Sequence, residues 1–142
     1  MVEERKPRRI GRSVLALLAG FVLVLILTLV TDVALQAAGV FSPRGQASSS
    51  GALILATVYR TLYGILGSYV TARLAPHHPM QHALLGGLIG FVLSAAGAEA
   101  TRNHPETLGA HWYPLALVLL ALPTAWVGGK IGTVQTSPET AS

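Results

Sequence analysis

Val14-Leu15-Ala16-Leu17-Leu18-Ala19-Gly20-Phe21-Val22-Leu23-Val24-Leu25-Ile26-Leu27 carries no polar side chain over fourteen consecutive positions. Extended from Ser13 to about Ala38, the stretch exceeds the roughly 20 apolar residues that a helix needs to cross the ~30 Å hydrocarbon core. A helix that is apolar on every side belongs in a large core or in lipid. A chain of 142 residues has no core large enough to surround it. The apolar run also outlasts the 7–15 residues usual for the hydrophobic region of a signal peptide, which favours a retained anchor over a cleaved leader.

Working outward, three further stretches have the same character. They run from about Ser50 to Leu74, from Pro79 to Ala98 and from Trp112 to Ile131. Pro79 suits a first helical turn, where its missing N–H loses no hydrogen bond. The expected fold is all-α: a four-transmembrane-helix bundle over 13–131, preceded by a basic N-terminus (1–12) and followed by a disordered tail (132–142). Composition agrees, with 51% hydrophobic and 11% charged residues against the about 25% charged of a soluble domain. The mean hydropathy is +0.55. No segment is left for a separate soluble domain.

Net charge is +4, but Arg5, Lys6, Arg8, Arg9 and Arg12 supply much of the positive charge ahead of the first span. Such a cluster is a topology signal and a headgroup contact, so the lipid bilayer is the expected partner and nucleic acid is not. With the N-terminus in the cytoplasm, Arg73 and Lys130 join these five on that side, leaving Arg44 and Arg102 opposite. The excess of positive charge then lies inside, and both termini are cytoplasmic. Trp112 and Tyr113 mark one interface and Trp126 the other. Gly39–Ser49 and Glu99–His111 read as outer connections, and Ala75–His78 as a tight inner turn.

The charges at membrane depth draw the most attention. At 1.5 Å per residue, Asp32, Arg60 and Glu99 lie roughly 28, 21 and 30 Å above the inner ends of their helices. A lone arginine at mid-helix costs about 2.5–3.5 kcal/mol on insertion scales. Asp32 on the antiparallel neighbour is the expected partner of Arg60, with Glu99 as a second candidate. An ion pair that fixes helix packing is favoured over an ion or proton path, because a path needs more polar lining than these segments offer.

Small residues recur every four positions at Gly64, Ser68 and Ala72 in the second span, and at Gly86, Gly90, Ser94 and Ala98 in the third. That spacing lets helix backbones approach closely in lipid. The short turn between these spans points to contact between the two stripes, with association between copies or with another membrane protein as the alternative. Pro123 should bend the fourth span and free the carbonyl of Leu119. Tyr59, Tyr63 and Tyr69 read as interface and packing residues.

Chemistry-bearing motifs are missing from the pattern. His77, His78 and His82 cluster at the inner turn without an acidic neighbour, and His104 and His111 lie outside, so no metal site is expected. The chain has no cysteine. Gly86-Gly87-Leu88-Ile89-Gly90 sits within a span and lacks the Lys-Ser/Thr of a phosphate loop. No catalytic triad or carboxylate pair assembles, so neither an enzyme nor a cofactor is expected.

Tyr69-Val70-Thr71-Ala72-Arg73-Leu74-Ala75-Pro76, followed by Pro79-Met80-Gln81-His82-Ala83-Leu84, resembles a pattern in small four-helix bacterial inner-membrane proteins. There a Gly-rich helix ends in Tyr/Phe-x-x-Ala/Gly-Arg-x-Ala before a proline turn. The resemblance covers about a third of the chain and departs at Gly67-Ser68, where a Gly-Gly pair is usual. It implies the bundle, the bacterial cytoplasmic membrane and Arg73 as topology anchor, but no established activity. Small multidrug transporters share the size but carry an embedded glutamate in the first helix, whereas here that helix offers Asp32 near its outer end. The sequence therefore points to a structural or accessory bundle, with a small transporter or channel-forming protomer using Asp32 and Arg60 as the alternative.

Overall fold

The computed structural model describes residues 6–43, 46, 48–103 and 111–136. Arg5, Arg44, Gly45, His104 and the tail beyond Thr136 lie outside the described residues, so the expectations made for them are not addressed. The described residues form four helices: α1 (Lys6–Ala37), α2 (Ser50–Leu74), α3 (Pro79–Thr101) and α4 (Trp112–Thr136). Each is long and apolar enough to cross a membrane.

The helix ends follow local chemistry. The C-terminus of α1 closes when Gly39, at φ +77°, enters the left-handed region that glycine tolerates best. Its N–H donates to the Gln36 carbonyl at 3.1 Å, and that of Val40 to the Leu35 carbonyl at 2.9 Å. This paired closure satisfies carbonyls that the helix leaves open. Ser49 caps α2, its side chain accepting from the Ala52 N–H at 3.2 Å. Pro79 occupies the start of α3 after His78, which adopts a left-handed backbone at φ 48°.

Three ends lie beyond the expected spans. α1 begins at Lys6 and not Ser13, α3 continues to Thr101, and α4 continues to Thr136 where a disordered tail was expected from 132. Hydropathy marks where apolar residues stop, but a helix can continue into the polar layer as long as its residues sustain backbone hydrogen bonding. Thr101 and Thr133 each donate from Oγ1 to a carbonyl one turn back. Pro123 lies within unbroken helix.

Contacts fix the direction of each helix. Asp32 meets Arg60 across α1 and α2, so these run antiparallel. Gly64 faces Thr124, and Gly132 faces Ala72, so α2 and α4 run parallel. Gly87 faces Ala125 and Gly129 faces Ala83, making α3 and α4 antiparallel. The bundle is therefore up-down-up-down, with Lys6 and Thr136 at the same end. α4 packs closely against both α2 and α3, α1 lies mainly on α2, and α1 touches α3 only slightly.

Burial is inverted relative to a water-soluble bundle. The buried interior is built mostly from Ala16, Ala52, Ala56, Ala72, Ala83 and Ala125, with Leu53, Tyr59 and Tyr113 at one end. Large side chains point outward, Leu119 being 74% exposed and Val30 63%. A protein in water rarely displays contiguous apolar surface on this scale. In lipid such surface costs nothing, and close approach of small residues supplies the packing. The protein is a multi-pass integral membrane protein.

α2 and α3 are in contact, as expected, but their stripes Gly64-Ser68-Ala72 and Gly86-Gly90-Ser94 are not what they pack with. α4 takes both partners instead. Its Thr124, Gly128 and Gly132 meet Gly64, Ser68 and Ala72 of α2, while its Ala125 and Gly129 meet Gly87 and Ala83 of α3. A methyl group on Gly132 would stand 2.7 Å from Ala72 Cβ, and one on Gly129 2.6 Å from Ala83 Cβ. α4 has small residues on two adjacent faces, so it can serve as the axle for α2 and α3. The α3 face that packs is thus one position away from the expected stripe. Gly86, Gly90 and Ser94 line a cavity.

Candidate functional site

The chemistry of the bundle collects in the half away from the chain ends. Asp32 lies five residues before the end of α1, roughly 7 Å in, and Arg60 ten residues after the start of α2, about 15 Å in. The long arginine side chain spans the difference, and Arg60 Nη2 donates to Asp32 Oδ2 at 2.6 Å. Tyr59, the preceding residue, donates its hydroxyl to Asp32 Oδ1. Both carboxylate oxygens are therefore held by consecutive residues of α2. The side chains of Arg60 and Asp32 are each about one-third exposed, at 33% and 30%.

Aromatic rings surround the pair. Tyr113 of α4 is 5% exposed, and its ring centroid lies 5.9 Å from the Arg60 guanidinium carbon, within cation–π range. The Tyr59 and Tyr63 rings are 5.6 Å apart. Tyr63 Oη lies 2.8 Å from Thr31 Oγ1, a second polar link between α1 and α2 one position from Asp32. Leu53, Ala56, Tyr59 and Tyr113 form a buried cluster on the side of the α1–α2 connection, with Leu35, Phe41 and Leu117 packed against it. Apolar residues of three helices thus hold the ion pair in place.

Tyr113, one of two aromatic residues expected to mark an interface, is buried against the pair at the start of α4, while Trp112 is 40% exposed. Tyr59 and Tyr63 pack as expected but also carry the polar links from α2 to α1, a role their spacing did not reveal. A tyrosine next to an intramembrane arginine was the available signal. Glu99, the second candidate partner, is not near Arg60 but faces Arg102 of its own helix end at 3.6 Å, both side chains well exposed.

Below the pair, between the four helices, lies a cavity of about 510 Å³. Leu17, Phe21 and Val24 of α1, Leu117 and Leu120 of α4, and Gly86 and Gly90 of α3 make its walls mostly apolar. Arg60 and Thr61 border it, and Gly64, Ser68 and Thr71 continue the α2 side. Thr61 and Thr124 turn their hydroxyls to backbone carbonyls of their own helices, at 2.6 and 2.9 Å. Arg60 Nε is sealed from the surface and, among the described residues, is the one buried side-chain polar atom without a hydrogen-bond partner.

The opposite end is ordered by weaker contacts. Tyr69 Oη donates to Gln135 Oε1 at 2.7 Å, tying the ends of α2 and α4. Arg73 lies over the Tyr69 ring at 5.9 Å and Lys130 over the Trp126 ring at 4.7 Å. His82 Nδ1 is 3.2 Å from the His78 carbonyl oxygen. Among the described residues, no three His, Asp or Glu side chains converge on one point that could hold a metal.

Fold and site together define a four-helix membrane bundle stapled by an internal aspartate–arginine–tyrosine cluster. No protein-family model matches the chain, and comparison with the curated proteins and with the solved structures finds no match to either.

Proposed function

We propose that the protein is a non-enzymatic structural or accessory bundle of a bacterial cytoplasmic membrane, with both termini in the cytoplasm and the Asp32–Arg60 pair as a fixed staple. The observation that carries this reading is the double engagement of the carboxylate: Asp32 has one oxygen bonded by Tyr59 and the other by Arg60, both from α2. A proton or ion relay needs a charge that changes partners. The positive-inside bias supports the orientation, and the resemblance around Tyr69–Pro76 supports the bacterial setting. On this view the bundle serves as a self-contained module that another membrane protein, or a second copy, can use as a scaffold.

The test is thermal unfolding of the purified protein in detergent for Asp32→Asn, Arg60→Gln and the exchanged pair Asp32→Arg with Arg60→Asp. A staple predicts that each single change lowers Tm and that the exchange restores most of the loss. Singles that melt like the parent would sink the staple.

A second reading, a small transporter or channel-forming protomer, has one observation in its favour: Arg60 borders the cavity. Flux of ions or small solutes into liposomes, present in the parent and lost in Arg60→Gln, would establish it over the first.

A further inference from the structure

The charges of the bundle are balanced at one end and unbalanced at the other. Asp32 and Glu99 are the acidic side chains among the described residues, and both lie in the half away from Lys6 and Thr136. There Arg60 pairs with Asp32, and Arg102 with Glu99. At the end that carries Lys6 and Thr136, the side chains of Arg12, Arg73 and Lys130 are all exposed. No carboxylate among the described residues meets any of the three.

Two of these cations are mounted in the same way. Arg73 lies over the ring of Tyr69, one turn earlier on α2, at 5.9 Å. Lys130 lies over the ring of Trp126, one turn earlier on α4, at 4.7 Å. The Tyr69 hydroxyl donates to Gln135 Oε1, so that ring is tied to α4 as well. Gly132 faces Ala72 on the parallel helix, which puts Arg73 and Lys130 within about one turn of the same height. A ring face attracts a cation but carries no net charge and no oxygen lone pair, so the N–H donors of both side chains still call for acceptors.

Helix length fixes what lies at this height. α2 has 25 residues, roughly 37 Å, against a hydrocarbon core of ~30 Å, so Arg73, its penultimate residue, stands at headgroup level. Tryptophan and tyrosine favour the same layer, and Trp126 is 49% exposed there. Water would satisfy the donors but not the charge, and a zwitterionic headgroup brings a cation of its own. An anionic phosphodiester supplies both the oxygens and the missing negative charge. We propose that this end of the bundle is a docking surface for anionic phospholipids, whose phosphates Arg73 and Lys130 take above the Tyr69 and Trp126 rings.

Phosphatidylglycerol and phosphatidylcholine with the same acyl chains serve as probes, offered in equal amounts to the full-length protein in a maltoside detergent. Bound lipid is read by native mass spectrometry. Phosphatidylglycerol should be the favoured adduct and should raise Tm more than phosphatidylcholine does. One basic residue beside an anionic headgroup layer is worth about fivefold in affinity. Arg73→Gln and Lys130→Gln should therefore each cut the preference severalfold, and the two together should nearly abolish it. Arg102→Gln removes the same charge from the opposite end, where Glu99 already answers it, and should leave the preference intact. All three side chains are exposed, and Tm without added lipid checks that each variant is folded.

Equal binding of the two lipids overturns the assignment. So does a preference that survives the double change at Arg73 and Lys130. If Arg102→Gln lowers the preference as far as Arg73→Gln does, net charge and not this surface sets it, and the proposal fails. Binding in detergent is read without regard to sidedness, so a reversed topology would alter the proposed function and not this result.

Discussion

At Asp32 the bundle makes its largest electrostatic commitment, and the tyrosine beside Arg60 decides how that commitment is met. A carboxylate held only by arginine would still have one oxygen open; Tyr59 takes it. Hydrogen bonds to a charged group contribute about 1.5–3 kcal/mol, against 0.5–1.5 for neutral pairs. Tyr59→Phe should therefore lower stability more than Tyr63→Phe, which removes only the neutral link to Thr31, and parallel denaturation in detergent would reveal the order. Equal losses would mean that the Tyr59 contact does not persist in solution. The Asp32–Arg60 match was legible because a charge in lipid is costly and antiparallel neighbours at similar depth are its natural remedy. Glu99 was a second candidate on depth, but depth ignores which side chains converge, and Glu99 pairs with Arg102 at its own helix end.

Among the elements, α4 organises the rest. Its glycines differ in what surrounds them, and this separates packing from propensity. A Cβ at Gly128 would come within 2.8 Å of Ser68 Cβ and close to backbone atoms of α2, whereas at Gly90 it would meet open space. Replacing a helical glycine by alanine gains up to about 1 kcal/mol in helix propensity. Gly90→Ala should therefore hold or raise Tm. Gly128→Ala should lower it by several degrees, because α2 and α4 must separate. Both follow from a thermal scan in one detergent, and a Gly128→Ala protein as stable as the parent would contradict the close α2–α4 contact. Four-residue spacing marked a face of α2 that does approach another helix, whereas in α3 it marked a face that borders the cavity. It did not identify the other, since Gly128-Gly129 and Gly132 on α4 carry the same signal on two faces at once.

For the whole molecule, the connectivity places Lys6 and Thr136 at one end of the bundle, and the proposed function puts that end in the cytoplasm. The chain lacks cysteine, so single substitutions report accessibility without background. In intact bacterial cells, Ser48→Cys on the α1–α2 connection should react with an impermeant maleimide. His77→Cys on the α2–α3 turn should react only after permeabilisation. The reverse pattern would invert the topology and remove the orientation from the proposed function, leaving the staple and the cavity as they are.

The sequence by itself determined the solvent of this protein. Runs such as Val14–Leu27 have no polar face, and in a chain of this length only lipid can accept them. It also located the membrane-depth charges and the helix-packing spacing, because both are local properties of a helix: what it carries, and at what height. Tertiary structure decided the pairing of surfaces: that α4 and not α3 receives Gly64, Ser68 and Ala72, that Tyr113 turns inward to Arg60, and that Gly86, Gly90 and Ser94 border a cavity. The physical reason is that every small-residue stripe in lipid attracts every other about equally. Which stripes meet is settled only when four helices, their connections and one charged pair must be satisfied together.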